Sequence, residues 1–243
     1  MHHLLAAFAL ATLVSLPAFA QAPAKPLNVV VLTGGHDFDQ KVFPKLFEGH
    51  DGLSFTIVAL KDHSEIFEDI SGFKFDVIVF YNMTQKISEK RRANFLALLD
   101  RGVGLVPLHH VICAYQEWPE FNRIIGARYF QKAEMFEGKE HAKSTYKHDL
   151  DMPIRVVEPS HPITRGLKDF TLRDEGYKSQ WFDPQAKLLL STSHADSDAP
   201  IAWCKTYAKS RVCTIQLGHG PEAYTDLNYR QLLAQAIRWT AER

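Results

Sequence analysis

The sequence predicts an α/β protein built on a doubly wound, mostly parallel sheet. Three observations carry that prediction. Runs at 28–33, 75–81 and 104–109 are almost wholly apolar and rich in β-branched residues, as strands covered on both faces must be. Between and after them, 40–47, 88–101 and 116–125 carry helical patterning. Strands that alternate with helices build parallel crossovers, and hence a three-layer, flavodoxin-like sandwich with its site at the carboxyl ends of the strands.

The chain begins with Met1-His2-His3, an uncharged apolar run and Ala18-Phe19-Ala20, the pattern of a signal peptide cleaved near Ala20. That places the mature protein in the periplasm or outside the cell. Residues 21–243 then form one domain, since about 220 residues bury a single substantial core. The first strand runs into Gly34-Gly35, a tight turn that presents His36, and 54–60 is the second strand. Ser88 caps the helix at 88–101, Phe95, Leu98 and Leu99 share its inner face, and Gly102 stops it. The strand at 104–109 ends in His109-His110, and Gly126 closes the helix at 116–125. Residues 133–151 are polar and without period, and read as a flap over the site. Short strands follow at 153–157, 187–192, 201–204 and 211–217. A final helix at 227–241 turns Leu232, Leu233, Ala236 and Ile237 inward.

The 28 Lys and Arg balance 28 Asp and Glu, which excludes a nucleic-acid partner and suits an uncharged small molecule such as a sugar. No stretch after the leader is apolar for long enough to span a bilayer. Three cysteines cannot form a disulfide framework. Cys204 and Cys213 flank a hairpin, and pairing and plain burial both stay open for them. Oligomeric state is likewise open, a homo-oligomer included.

Chemistry is concentrated in the twelve histidines, of which His2 and His3 leave with the leader. His36, His109 and His219 each follow a strand, so three strands deliver imidazole to one end of the sheet. Glu175 can add a carboxylate. Three imidazoles and a carboxylate suit Zn, Mn, Co, Ni or Fe(II) with positions left open for water or substrate. His110 is the candidate general base, with His109 and Glu175 beside it in the catalytic group. Tyr115, Trp118, His161 and Tyr177 are the candidate sugar contacts, since flat rings stack on sugar faces. Cys113 and the later Gly218-His219 are reminiscent of a glutamine amidotransferase nucleophile and base. However, the strand-end place belongs to His109-His110 and the elbow glycines are missing, so Cys113 is read as packing.

At these residues the sequence resembles the ThuA-like (trehalose utilisation) family. The matching blocks are Val31-Leu-Thr-Gly-Gly-His36, Leu108-His-His-Val-Ile-Cys-Ala-Tyr-Gln-Glu-Trp-Pro119, Ile125-Gly-Ala-Arg-Tyr129, His161-Pro-Ile-Thr-Arg-Gly-Leu167, Asp174-Glu-Gly-Tyr177, Pro200-Ile-Ala-Trp203, Gln216-Leu-Gly-His219 and Ile237-Arg-Trp239. The family's usual Tyr-Gly-Lys-Gly-Arg becomes Tyr207-Ala-Lys-Ser-Arg211, a changed hairpin turn. Gly220-Pro221 also replaces the acidic or histidine residue that often follows the Gly-His pair. The resemblance implies a class I glutamine amidotransferase-like fold lacking the Cys nucleophile, and carbohydrate metabolism in which a glycoside is handled as its 3-keto derivative. It also implies that His36, His109, Glu175 and His219 form the metal or catalytic cluster. Two functional readings follow. One is a metal-dependent enzyme that breaks glycosidic bonds by hydrolysis or β-elimination, and the other a non-catalytic sugar-binding or accessory protein. A Cys-dependent hydrolase ranks third.

Overall fold

Val29, Val30, Val31 and Leu32 are all buried, and their side chains part to opposite faces of one sheet. Val29 and Val31 join one apolar cluster, while Val30 and Leu32 join a second. The computed structural model describes residues 26–61 and 63–242, so the leader at 1–20 lies outside it.

In chain order the elements are β1 (Leu27–Gly34), β2 (Leu53–Ala59), β3 (Val77–Asn82), α1 (Glu89–Asp100), β4 (Gly104–Pro107) and α2 (Pro119–Ile125). There follow β5 (Ala127–Arg128), β6 (Glu134–Phe136), β7 (Lys139–His141), β8 (Thr145–Val156), β9 (Phe170–Lys178) and β10 (Trp181–Phe182). The chain closes with β11 (Lys187–Thr192), β12 (Pro200–Tyr207), β13 (Ser210–Ile215), α3 (Pro221–Thr225) and α4 (Leu227–Ala241). Nine strands form one sheet in the order β2-β1-β3-β4-β13-β12-β11-β8-β9. The first five run parallel, and the rest extend the sheet antiparallel. Phe95, Leu98 and Leu99 of α1 and Phe121, Ile124 and Ile125 of α2 cover one face. Leu232, Leu233, Ala236 and Ile237 of α4, with Phe43 and Leu46, cover the other. This is the three-layer α/β fold expected from the sequence. Among the described residues no helix is long and apolar enough to cross a membrane.

Three local expectations are corrected. The helix at 40–47 is a single 3-10 turn, Phe43–Leu46, with Pro44 in its first turn and Gly49 at φ 72° soon after. The flap at 133–151 is not loop. It forms the β6–β7 hairpin and the first half of β8, whose early residues are exposed and so show no apolar alternation. The segment around Glu175, read without an element, is the nine-residue strand β9. Cys204 and Cys213 face each other across the β12–β13 ladder as free, buried thiols. In the altered hairpin turn, Ala208 adopts φ 51°, a left-handed conformation that glycine takes with less strain. Ser88 caps α1 by accepting the Arg91 N–H at 3.3 Å, as its position predicts.

Candidate active site

Where β4 ends, Leu108 is still extended, but His109 turns to φ 51° before a 3-10 turn over His109–Cys113. A non-glycine residue in the left-handed region stores strain, and such strain clusters at functional sites. This strand-to-helix elbow throws the His109 ring across the carboxyl end of β13. There its Nδ1 lies 3.1 Å from the Gln216 carbonyl oxygen. A carbonyl can only accept, so Nδ1 carries a proton, and Nε2 points the other way.

What Nε2 faces is two more electron-pair donors. Glu175 Oε2 lies 3.2 Å away and His219 Nδ1 3.3 Å away, and those two atoms are 3.4 Å apart. The Tyr177 hydroxyl donates to Glu175 Oε2 at 2.7 Å and stands 3.2 Å from His109 Nε2. Among the described residues, His109, Glu175 and His219 are the group whose donor atoms all lie within 4.8 Å of one another. Donors held about 2.0–2.2 Å from a tetrahedral divalent ion stand about 3.3–3.6 Å apart, so the triangle is close to one face of such a site. The chemistry agrees, because lone pairs brought together need either protons or a cation between them. Two imidazoles and a carboxylate therefore fit Zn, Mn, Co, Ni or Fe(II).

Glu175 and its neighbour Asp174 are both buried, and neither forms an ion pair with lysine or arginine among the described residues. Burial alone would raise the Glu175 carboxyl, but hydrogen bonds to His109, His219 and Tyr177 hold it well below the ordinary range. The hydrogen bond to Glu175 chiefly raises the pKa of His219. For Asp174, burial dominates and raises the pKa, against the opposing pull of His109 and three backbone N–H groups.

Beside the triangle lies a cavity of about 260 Å³ bounded by His36, His110, Tyr129, Tyr146, His148 and Tyr177, with Cys113 and Glu175 also in its wall. His110 is 3% exposed, and neither of its ring nitrogens has a hydrogen-bond partner among the described residues. Burial, then the neighbouring His109 and His36, push its pKa well down. His36 stacks on that ring at 4.5 Å between centroids, and its own Nδ1 engages the Asp37 carbonyl. It thus stands against His110 and outside the donor triangle. Gly34 and Gly35, at φ 126° and 74°, make the turn that brings it there, where a side chain on either would strike Leu60 or Met83 backbone.

Of the expected site residues, the fold brings His36, His109, His110, Glu175, Tyr177 and His219 together. Tyr115 and Trp118 lie in the apolar layer under α1 and α2. The Tyr115 hydroxyl is held by Ser64 at 2.6 Å, and Trp118 packs on Phe95 and Phe121. Their aromatic bulk is spent on core packing rather than on the cavity. His161 is elsewhere, with Nε2 3.7 Å from Cys204 Sγ and its ring against Trp239. Cys113 reaches the cavity wall, but burial pushes its thiol far up, and His109 holds the elbow a nucleophile would occupy.

Sequence reasoning missed His148, Tyr129, Tyr146 and Asp174. A register shift between Lys147 and Leu150 bulges β8, and the bulge directs His148 Nδ1 to 3.5 Å from Glu175 Oε1. Tyr146, two residues earlier, packs edge-on against His148 and stays 58% exposed at the mouth. Alternation along β8 would have been the signal, but it becomes visible only from Leu150 onward.

Fold and site together define a class I glutamine amidotransferase-like α/β protein whose elbow carries histidine in place of a nucleophilic cysteine. The model of the ThuA family, described as trehalose utilisation, matches residues 28–240, and the chain belongs to that family. A ThuA-like protein of Parabacteroides merdae superposes with a TM-score of 0.75 at 19% identity, over 89% of this chain and 90% of that one. A ThuA-like protein of Bacteroides uniformis gives 0.64 at 20% identity, over 92% and 95%. A β-galactosidase of Bacillus circulans sp. alkalophilus gives 0.55 at 9% identity, over 88% of this chain but 31% of that one. At these identities the likeness is one of fold. No curated protein matches the chain.

Proposed function

We propose that this protein is an exported, divalent-metal-dependent enzyme that cleaves sugars as their 3-keto-glycosides. The observation that supports this most strongly is the triangle of donor atoms on His109, Glu175 and His219 beside a buried His110 whose ring nitrogens have no hydrogen-bond partner among the described residues. A cavity of about 260 Å³ sits just below the ~300–1,000 Å³ range of small-molecule pockets and suits one pyranose ring.

A ketone at C3 acidifies the C2 proton. His110, uncharged and with both ring nitrogens free, takes that proton, and the C2–H electron pair moves into an enolate spanning C2, C3 and the C3 oxygen. Collapse of the enolate re-forms the C3 ketone, makes the C1–C2 double bond and expels the C1 substituent, which leaves with the proton that His110 took. Water then adds its hydroxyl to C1 and its proton to C2, which completes a net hydrolysis. A divalent ion held by His109, Glu175 and His219 would supply Lewis-acid stabilisation of the charge on the sugar oxygens. Tyr177 keeps Glu175 oriented, and Tyr146 offers a ring face at the mouth for stacking. Ordinary glycosidases need two carboxylates flanking the bond, and this route does not.

The test is metal content together with turnover. Wild-type protein should retain one divalent ion per chain and convert 3-keto-glucosides, and His109→Ala should lose both. Metal-free wild-type protein, with turnover untouched by His109→Ala, overturns the proposal. Sugar binding that needs no metal and yields no product favours the accessory reading instead. Export predicts that the mature protein begins at Gln21, which N-terminal sequencing reads directly.

A further inference from the structure

The loop that carries His219 has an unusually complete set of side-chain partners. Asp174, buried on β9, accepts the N–H of Gly218 on Oδ2 at 2.7 Å and the N–H of His219 on Oδ1 at 2.8 Å. The same Oδ1 accepts the N–H of Glu175 at 2.8 Å. The loop's carbonyls are taken by three tyrosines from three other elements. Tyr229 of α4 donates to Leu217 O at 2.9 Å, Tyr81 of β3 to Gly218 O at 2.8 Å, and Tyr224 of α3 to His219 O at 3.2 Å. Buried backbone groups must be paired, and here every bond named is made by a side chain rather than by a ladder.

Asp174 differs from the tyrosines in touching the backbone of two donor-bearing residues at once. We infer that Asp174 is the positioning residue of the metal site, fixing Glu175 and His219 relative to each other so that their donor atoms meet His109 Nε2. This rests on the metal reading of the triangle. Glu175 lies near one end of the sheet order and His219 follows the middle strand β13, so no β-ladder sets their spacing. The carboxylate of Asp174 spans that gap. An amide cannot replace it, because N–H groups approach both oxygens. Asparagine keeping the Glu175 and His219 bonds would turn its own NH2 against the Gly218 N–H, and the flipped amide would face two donors. Outer partners that orient ligands typically contribute 10–100-fold to metal affinity, without touching the metal.

The experiment compares full-chain wild type, Asp174→Asn and Tyr224→Phe, stripped of metal and titrated with Co²⁺. Visible absorption reports coordination geometry, and native-state amide hydrogen exchange is measured on the metal-free proteins. Asp174→Asn should bind Co²⁺ about 10–100-fold more weakly with altered d–d bands. It should also speed exchange at Gly218 and His219 beyond any change in global stability. Tyr224→Phe, which removes one bond to the same loop and leaves the carboxylate, should shift both readouts the same way but less, and it serves if Asp174→Asn fails to fold. Wild-type affinity and spectrum in Asp174→Asn, or unchanged affinity, spectrum and exchange in Tyr224→Phe where that variant must serve, overturn the inference. If the wild type takes no Co²⁺, the metal reading falls instead, and the exchange rates at the two amides still decide the positioning role.

Discussion

Replacing Gly218 by alanine should destabilise the protein far more than the same change at Gly52. Gly218 sits at φ 123°, outside the conformations open to an L side chain, and its added Cβ would lie 2.7 Å from the Tyr229 hydroxyl. A backbone held in such a region costs about 1–3 kcal/mol. Forcing Tyr229 aside adds about 1–3 kcal/mol of overpacking and threatens its bond to Leu217 O. Together the loss is about 2–6 kcal/mol, which for a domain of this size lowers Tm by at least about 4 °C. Gly52, at φ 71° with nothing within 4 Å of an added Cβ, should lose only about 1 kcal/mol. Urea denaturation and thermal melts of the two variants read the difference. Equal midpoints for Gly218→Ala and Gly52→Ala would refute the claim that the His219 loop is sterically locked.

Two further outcomes follow from the electrostatics of the site. The ion must displace the proton that Glu175 helps hold on His219, so divalent-ion affinity should tighten as pH rises through the raised His219 pKa, by up to about tenfold per unit for one proton. Competition titrations between pH 6 and 8 that give a flat profile would contradict that linkage. Burial keeps Cys113 protonated, so iodoacetamide at pH 8 should label it only after unfolding. Rapid labelling of the native protein would revive a thiol nucleophile.

The parallel half of the sheet was legible because β1, β3 and β4 are buried on both faces and therefore continuously apolar. The helices α1 and α4 were legible through their inner stripes. His109 and His219 were legible for a related reason: strand ends converge, and a residue directly after an apolar run must lie there. The antiparallel half was obscure. Along β8 the ladder precedes the apolar alternation, since residues 145–149 are exposed and only Leu150, Met152 and Ile154 turn inward. In β9 the buried positions include Asp174 and Glu175, whose charge disguises a strand as a turn. His148 was hidden twice over, by its polar neighbours and by a bulge that no period reveals. Tyr115 and Trp118 misled in the other direction, because a ring near a strand end packs a core as readily as it meets a ligand.

The strand that carries Asp174 and Glu175 has a second consequence, in the behaviour of many molecules rather than of one. Among the described strands β9 is last in the sheet order and pairs with β8 alone, so it is the kind of edge on which a neighbouring chain can add a strand. Inward-pointing carboxylates on an edge strand make such an addition costly. The acids of the candidate centre thus carry a second expected readout, since their loss should raise light scattering of a concentrated solution as well as disturb any assay of the site.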